Sequence, residues 1–476
     1  MKRKYQVCET YEENIDFEEV KKSVLKDYTK RLKKKNDKPI YIIPFGSGST
    51  GNSYYIEIGS HSLMIDMGVG VRKVKAALEK HGRSLEDVEA ILITHAHFDH
   101  RSAIRSICNN THCKLYATKE TFEELHCITE YKAAEEIIEC DKKMEIKDGL
   151  YIKAFKTDHD IDGSCGYVIE SEGHKVSYAT DLGIVRKNTI TSIGGSDVII
   201  LESNHDEKML IEGPYDEFLK ERILSPLGHL SNRQSLEFQN LLYELGTRNF
   251  LLAHLSRENN SPELLKELTD EAHKDKDINV HICKINDDEL LKYQEKTMKI
   301  AVFCGSTSGK DPIYKDAAKD LGSWIGENKY TLVYGGGDAG LMGEVAKAAH
   351  DKSEVIGVVP GNVDFIKDRP QIYVDKLIEA KDMSDRKHTM FELGDVFIAL
   401  PGGVGTLDEI SETVTLTRIG LYNKPSIFFN RNSYYEPLKK MFEEMEKAGF
   451  VDKGYKRFVL FSDDFKEIED FIRNFK

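Results

Sequence analysis

The chain has 476 residues, a length that suits two or three domains with separate cores and does not suit one. Hydrophobic residues make up 40% and charged residues 31%, and no run approaches the roughly 20 apolar residues that span a bilayer, so a membrane-spanning helix is excluded and no membrane partner is expected. The net charge of −14 repels a nucleic-acid backbone unless cations are concentrated locally or metal ions supply them.

The opening segment, MKRKYQVCETYEENIDFEEV, has no apolar core and no small-residue cleavage site, so it does not read as a secretory signal and a cytoplasmic location is expected. Eight cysteines are scattered without a CxxC pair, which predicts reduced thiols rather than a disulfide framework or a zinc knuckle. Residues 1–38 read as a basic N-terminal arm or helix. Its run from Lys21 to Lys38 is expected to be a solvated helix face or mobile arm rather than a nucleic-acid contact. From Pro39, short apolar runs (PIYIIPF, SYYIEIG, HSLMIDMG, AILITHAH, CKLYAT, LYIKAFKT, CGYVIES, HKVSYATD, DVIILESN, NFLLAHLS) alternate with Gly-rich turns and a few helices, which predicts a layered α/β sandwich over 39–290. The polar stretch NDDELLKYQEKT reads as a linker, with the boundary between about 285 and 298. From Met298 the pattern resets to strand–turn–helix units: MKIAVFCGS, YTLVYGGG, VIGVVPG and DVFIALPGG, each followed by a helix or a turn. Such units predict a doubly wound parallel sheet over 298–476.

The first chemical constellation is His95-Ala96-His97-Phe98-Asp99-His100, which follows the apolar strand AILIT. Four metal-binding side chains in six positions would repel one another when charged and have no ordinary structural purpose, so the run predicts a metal site. His159, Asp181 and His254 each follow a later strand. The order and spacing resemble the metallo-β-lactamase superfamily, whose fold is an αββα sandwich. By that resemblance His95, His97 and His159 hold one divalent metal ion, Asp99, His100 and His254 the other, and Asp181 bridges them. The donor set suits zinc, manganese or iron, with zinc or manganese expected. FGSGSTGNSYYI, THAHFDH, DGSCGYVI, SYATDLG, LESNHD, GHLSN and LLAHLSREN together resemble the YycJ (WalJ) group, related to tRNase Z and RNase J. The resemblance implies phosphodiester hydrolysis, in particular a DNA exonuclease with a nucleic-acid or other phosphodiester substrate. It also implies that Asp99 takes part in catalysis and that His229 of GHLSN is a general acid or phosphate contact, with His205 of SNHD a second candidate. The same metal core serves acyl hydrolysis elsewhere, so a small ester or thioester is the alternative substrate.

In the C-terminal half, CGSTSG, GGGDAGLMG and PGGVGT each follow a strand, and Gly-rich loops at helix N-termini can cradle a phosphate. GGGDAG lacks the acidic residue that a dinucleotide fingerprint expects about 20 positions on, so NAD is not expected. Thr406-Leu407-Asp408-Glu409 also reads as a capping box with Thr406 as N-cap. PGGVGTLDE, with MSDRKHTM before it and YGGGDAGLMGEVA earlier, resembles the Lonely guy family of cytokinin-type nucleotide phosphoribohydrolases over about 298–450. By that resemblance Arg386 and Glu409 are the catalytic pair, and Gly336, Gly337, Gly402, Gly403, Gly405 and Thr406 bind the 5′-phosphate of a nucleoside monophosphate such as AMP. It further implies a homodimer formed through this domain and no cofactor within it. The whole chain is thus expected to be a bifunctional hydrolase, the alternative being a metallo-hydrolase regulated by a nucleotide-sensing second domain.

Overall fold

The computed structural model describes residues 5, 7–32, 35–36, 38–48, 50–274, 276–284, 287–294, 297–361 and 372–475. Lys33 and Lys34 of the basic run lie outside the described residues. The chain divides into two compact units between residues 295 and 296, and the described residues form three seven-stranded sheets, two in the first unit and one in the second.

The first unit contains β1 (Ile40–Gly46), β2 (Ser53–Ile58), β3 (His61–Ile65), β4 (Ala90–Leu92), β5 (Lys114–Ala117), β6 (Glu135–Ile137), β7 (Lys143–Lys147), β8 (Leu150–Lys156), β9 (Cys165–Ser171), β10 (His174–Ala179), β11 (Val198–Glu202), β12 (Asn249–Ala253), β13 (Asn279–Ile282) and β14 (Leu291–Tyr293). One sheet runs β14-β1-β2-β3-β4-β5-β6 and the other β13-β12-β11-β10-β9-β8-β7. Alternation along the strands sends one set of apolar side chains between the sheets and the other set outward. Ile40, Ile42, Tyr54, Ile56 and Leu63 share a core with Val176, Tyr178, Val198 and Ile200. Ile43, Phe45, Met64 and Ile91 pack outward against Val74, Ala77 and Leu78 of the helix Val71–Lys80. Ile199, Leu201 and Phe155 pack outward against Phe238 and Leu242 of the helix Asn232–Glu244, and against Val20 and Val24 of the helix Phe17–Leu32. The result is an αββα sandwich. Because helices cover both outer faces, VIILE of β11 is apolar through four consecutive residues rather than alternating.

The basic N-terminal segment is a docked helix in this structure. Asp197, only 6% exposed, accepts from Arg31 Nη1 at 2.7 Å and Lys35 Nζ at 2.8 Å, and it also caps the backbone N–H of Lys175 at 2.7 Å. Burial works against the Asp197 carboxylate, but Arg31 and Lys35 hold its pKa below the usual range. A depressed carboxylate contributes stability above its unfolded pKa of about 4, and that contribution is lost as pH falls through the lower folded value. Asp197→Ala leaves two cations without their partner and is expected to lower unfolding free energy by about 3 kcal/mol at neutral pH, read by urea denaturation. The same denaturation repeated at pH 3 should show a smaller difference between the two chains.

The second unit contains β15 (Lys299–Phe303), β16 (Thr331–Tyr334), β17 (Val355–Pro360), β18 (Lys376–Ala380), β19 (Val396–Ala399), β20 (Ser426–Phe429) and β21 (Val459–Ser462). They pair in the order β18-β17-β16-β15-β19-β20-β21, and every pairing is parallel. Helices cover both faces, including Ile313–Glu327 and Gly340–His350 on one and Met383–Leu393 and Val404–Arg418 on the other. This is a Rossmann-like doubly wound sheet. The strand order reverses between β15 and β19, and loops leaving a sheet at such a switch point diverge and open a crevice. No described helix is long and apolar enough to cross a membrane, and all eight cysteines are free.

Two candidate active sites

In the first unit the chemistry-bearing residues stand at the carboxyl ends of strands from both sheets. Asp66 follows β3, His95 and His97 follow β4, and the short helix Phe98–Arg101 brings in Asp99 and His100. From the other sheet come His159 after β8, Asp181 after β10, Glu202 at the end of β11 and His254 after β12. Asp66, Asp181 and His254 have φ of 57°, 56° and 58°, a left-handed conformation that side chains with a Cβ seldom adopt. Each is held there by hydrogen bonds: the backbone N–H of Asp66 to Leu92 O and that of His254 to Ser47 Oγ, with the Asp181 carboxylate taking Thr180 Oγ1.

Two triads result. His95 Nε2 stands 3.1 Å from His97 Nδ1, which stands 3.2 Å from His159 Nε2. Asp99, His100 and His254 converge likewise, with His100 Nε2 and His254 Nε2 at 3.4 and 3.5 Å from Asp99 Oδ2. Asp181 lies between the triads, 3.4 Å from His100, 3.7 Å from His159 and 3.6 Å from His254. Ligand atoms each about 2.1 Å from a tetrahedral ion stand about 3.4 Å from one another, so these separations fit two cation sites sharing Asp181. The charge balance fits as well, since Asp66, Asp181 and Glu202 are all but fully buried and Asp99 is half-buried, so four carboxylates gather where cations would compensate them. Burial works against the Asp99 carboxylate, but His100 and His254 hold its pKa well below the usual range.

An outer layer aims these rings. Asp66 takes His100 Nδ1 at 2.7 Å and the Thr94 backbone N–H at 2.9 Å, which leaves His100 Nε2 turned inward. Glu202 Oε1 takes both His254 Nδ1 at 2.7 Å and His229 Nδ1 at 2.8 Å, while its Oε2 takes the backbone N–H of Leu182 and of Leu230. Asn52 Nδ2 donates to Asp99 Oδ2 at 2.9 Å. His159 Nδ1 is the departure, buried with no partner among the described residues. Sequence reading missed Asp66, Glu202 and Asn52. The available signal for the first two was a carboxylate directly after an apolar run, in LMID and VIILE. Glu202→Gln is expected to weaken metal binding by about 10–100-fold, measured by competition with a chromophoric chelator, because the amide NH2 replaces one acceptor oxygen and cannot serve the two rings and the two backbone N–H groups together.

His97, Asp99, His159, Asp181, His229 and His254 border a cavity of about 470 Å³. His229 sits in the loop before the helix Asn232–Glu244, whose start is fixed by a reciprocal capping box between Ser231 and Gln234. His205 is not in this group: it is buried, both ring nitrogens lack a partner among the described residues, and burial depresses its pKa to about 3.

In the second unit a cavity of about 690 Å³ opens at the switch point, bordered by Gly336, Gly337, Gly403, Gly405, Thr406, Arg386 and Glu409. Arg386 is 6% exposed; its Nε donates to Val358 O at 2.9 Å and its Nη1 to Glu409 Oε1 at 3.1 Å. Gly335 makes room for that guanidinium, since a Cβ there would lie 1.9 Å from Arg386 Nη2. Burial pushes the Glu409 carboxyl up, and Arg386 offsets part of the rise. The helix Val404–Arg418 starts three residues earlier than the capping-box reading has it, with Gly403 as N-cap and Thr406 inside the first turn. A Cβ at Gly403 or Gly405 would meet nothing within 4 Å, and both residues border the cavity at the first turn of the helix, where an anion can sit. Gly402 does not border the cavity. It packs against Thr406 and Gly305, and its carbonyl accepts from Tyr434 Oη at 2.6 Å.

Comparison with known proteins gives the two units separate kin. Residues 61–255 match the family described as a beta-lactamase superfamily domain, and residues 342–472 the family described as possible lysine decarboxylase. The metallo-beta-lactamase fold protein YhfI from Bacillus subtilis aligns with 54% of this chain and 100% of its own, at 19% identity and a TM-score of 0.41. The cytokinin riboside 5′-monophosphate phosphoribohydrolase of Rhodococcoides fascians is 40% identical over 166 residues, 35% of this chain and 84% of that protein. A cytokinin riboside 5′-monophosphate phosphoribohydrolase of Arabidopsis thaliana is 37% identical over 186 residues, 39% of this chain and 85% of that protein. Through its second unit the chain belongs to the cytokinin riboside 5′-monophosphate phosphoribohydrolase family, and ahead of that unit it carries a domain of the β-lactamase superfamily.

Proposed function

We propose that the chain is a bifunctional hydrolase: its second unit cleaves the N-glycosidic bond of nucleoside 5′-monophosphates such as AMP, and its first unit hydrolyses phosphodiesters in a metal-dependent reaction. The observation that carries the first half is the buried Arg386–Glu409 pair inside a Gly-walled cavity at a helix N-terminus. The helix N-terminus takes the 5′-phosphate through the N–H groups around Gly403, Gly405 and Thr406, which places the ribose toward Glu409. As the bond from C1′ to the base breaks, positive charge grows on the ribose. The Glu409 carboxylate stabilises that charge and accepts a proton from the water that adds to C1′, while the departing base takes a proton from solvent and Glu409 returns its own to solvent. Arg386 keeps Glu409 ionised and fixes its rotamer. Base release is therefore expected to rise with pH through a pKa above the ordinary carboxylate range. Arg386→Met removes the offsetting cation and should move that limb to higher pH in a profile of kcat/KM.

For the first unit, the supports are the two triads around Asp181 and the resemblance to the YycJ group. Two divalent ions, zinc or manganese, would supply an activated water and neutralise charge developing on a phosphoryl oxygen. His95, His97 and His159 would hold one and Asp99, His100 and His254 the other, with Asp181 between. His229, oriented by Glu202, donates a proton to the leaving oxygen. An exonuclease that leaves 5′-monophosphates would produce the substrate class of the second unit. The second unit also presents apolar side chains to solvent on one helix and the loop after it (Val404, Leu407, Ile419 and Leu421), which fits a homodimer in which a second copy covers them.

The test is to incubate the purified chain with AMP and with a generic phosphodiester, with and without chelator. Free base formed regardless of chelator, and phosphodiester cleavage abolished by it, are the expected results. No base from any nucleoside monophosphate would favour the nucleotide-sensing alternative, and light scattering at twice the chain mass is expected for the dimer.

A further inference from the structure

The outer face of the second sheet of the first unit is not filled everywhere by helices. Between the helix Phe17–Leu32 and the helix Lys187–Ile193 lies a cavity of about 660 Å³, whose residues are shared with neither candidate active site. Its floor is the outward face of β8, β9 and β10, where register places Tyr151 opposite Glu170, Glu170 opposite Lys175, and Lys153 opposite Val168. Lys175 is 8% exposed, and its ammonium donates to one neutral acceptor, Gly194 O at 2.8 Å. No described carboxylate lies within ion-pairing distance of it. Two acids around it are engaged elsewhere: Asp197 with Arg31 and Lys35, and Glu170 with Lys143. Burying an ammonium without a counter-charge is expensive, and two of its three N–H donors have no partner among the described residues to offset the cost.

A second cation stands beside it. Lys153 Nζ donates to Ser192 Oγ at 3.0 Å and reaches Asp141 only at 3.6 Å, and the side chains of Lys153 and Ser192 border the same cavity. Tyr28 and Tyr151 supply aromatic walls. We propose that this cavity is a second ligand site, which takes a small phosphorylated molecule with its phosphate seated on Lys175 and Lys153. Two ammoniums with adjacent hydroxyls match the several oxygens of a dianion better than a lone carboxylate, and the volume is that of sites that hold nucleotide-sized molecules. Burial and the cations Arg31 and Lys153 outweigh the nearby acids and bring Lys175 down to about 8. A lowered amine that borders the cavity supplies a local probe, since acetylation requires the neutral form.

The experiment uses the full chain. Trace acetylation with acetic anhydride at pH 8 is followed by peptide mass mapping, at constant ionic strength, with sodium chloride, inorganic phosphate or ribose 5-phosphate present, and with AMP added to the Glu409→Gln chain. At a ligand concentration ten times its Kd, acetylation of Lys175 is expected to fall about tenfold. Lys266, which is exposed and paired with Asp270, serves as the internal reference and is expected to be unaffected. Protection by phosphate alone identifies an anion seat, and protection only by ribose 5-phosphate or AMP identifies a larger phosphorylated ligand. Either result supports the site. Lys175 that is never acetylated, or that is acetylated equally in every arm, overturns it. In Lys175→Met, the protection of Lys153 is expected to disappear. The wild-type arms decide the question whether or not that variant folds.

Discussion

Glu409→Gln is expected to lower kcat for base release from AMP by about 10³-fold while KM changes little. The substitution is nearly isosteric, and the glutamine oxygen can still accept from Arg386 Nη1, now at 3.1 Å from Glu409 Oε1, so the cavity keeps its shape. What disappears is the negative charge opposite the ribose and the acceptor for the water proton. Because burial pushes this carboxyl up, a neutral amide relieves a cost in the folded state, and the melting temperature should hold or rise. That combination separates a chemical role from a structural one. Arg386→Lys should also fail: the guanidinium reaches Val358 O from Nε and Glu409 from Nη1, and a point ammonium cannot span both. Retention of full base release in Glu409→Gln would remove Glu409 from the proposed catalytic pair.

Asp181→Ala is the second large effect. Its carboxylate stands 3.4–3.7 Å from three histidines of the two triads, so its removal strips a shared donor from both candidate ion positions. Bound metal, counted by elemental analysis of the purified chain, is expected to fall from two ions to one or fewer. Phosphodiester cleavage should fall by more than the about 100-fold typical of changes in an outer layer. AMP cleavage should be untouched, because the Arg386–Glu409 pair belongs to the other unit. A variant that keeps two ions would remove Asp181 from the proposed ligand set.

The elements legible in the sequence are those with a continuous apolar run, such as VIILE of β11 and KIAVF of β15, because a strand covered on both faces must be apolar throughout. β6 and β7 carry EEI and KMEIK, with alternate residues exposed, and present no such run. β14 was hidden inside a polar stretch that reads as a linker. It is only three residues long and owes its strand conformation to antiparallel pairing with β1, a partner some 250 residues away. The residues of the metal cluster were legible because four of them crowd into one loop and the rest close strands. Asp66 and Glu202 were not, since their partners lie far along the chain: His100 is 34 residues from Asp66, and His254 is 52 from Glu202. Thr406 and Glu409 have capping-box spacing, yet the helix begins at Val404 because PGG brings the chain into the crevice with a glycine at the N-cap.

The cluster at Asp181 draws on both sheets, and this sets an order on biosynthesis. His95, His97, Asp99 and His100 leave the first sheet, built mainly from residues 40–137, while His159, Asp181 and His254 leave the second, built from residues 143–282. Neither half alone presents more than part of a coordination shell. A nascent chain therefore could not assemble the proposed ligand set until about residue 254 has emerged and the sheets have stacked. The strand β14, which completes the first sheet beside β1, is made only after that point. The proposed two-ion site would then be completed near the midpoint of synthesis, and a chain stalled before β12 would lack His254, one member of the second triad.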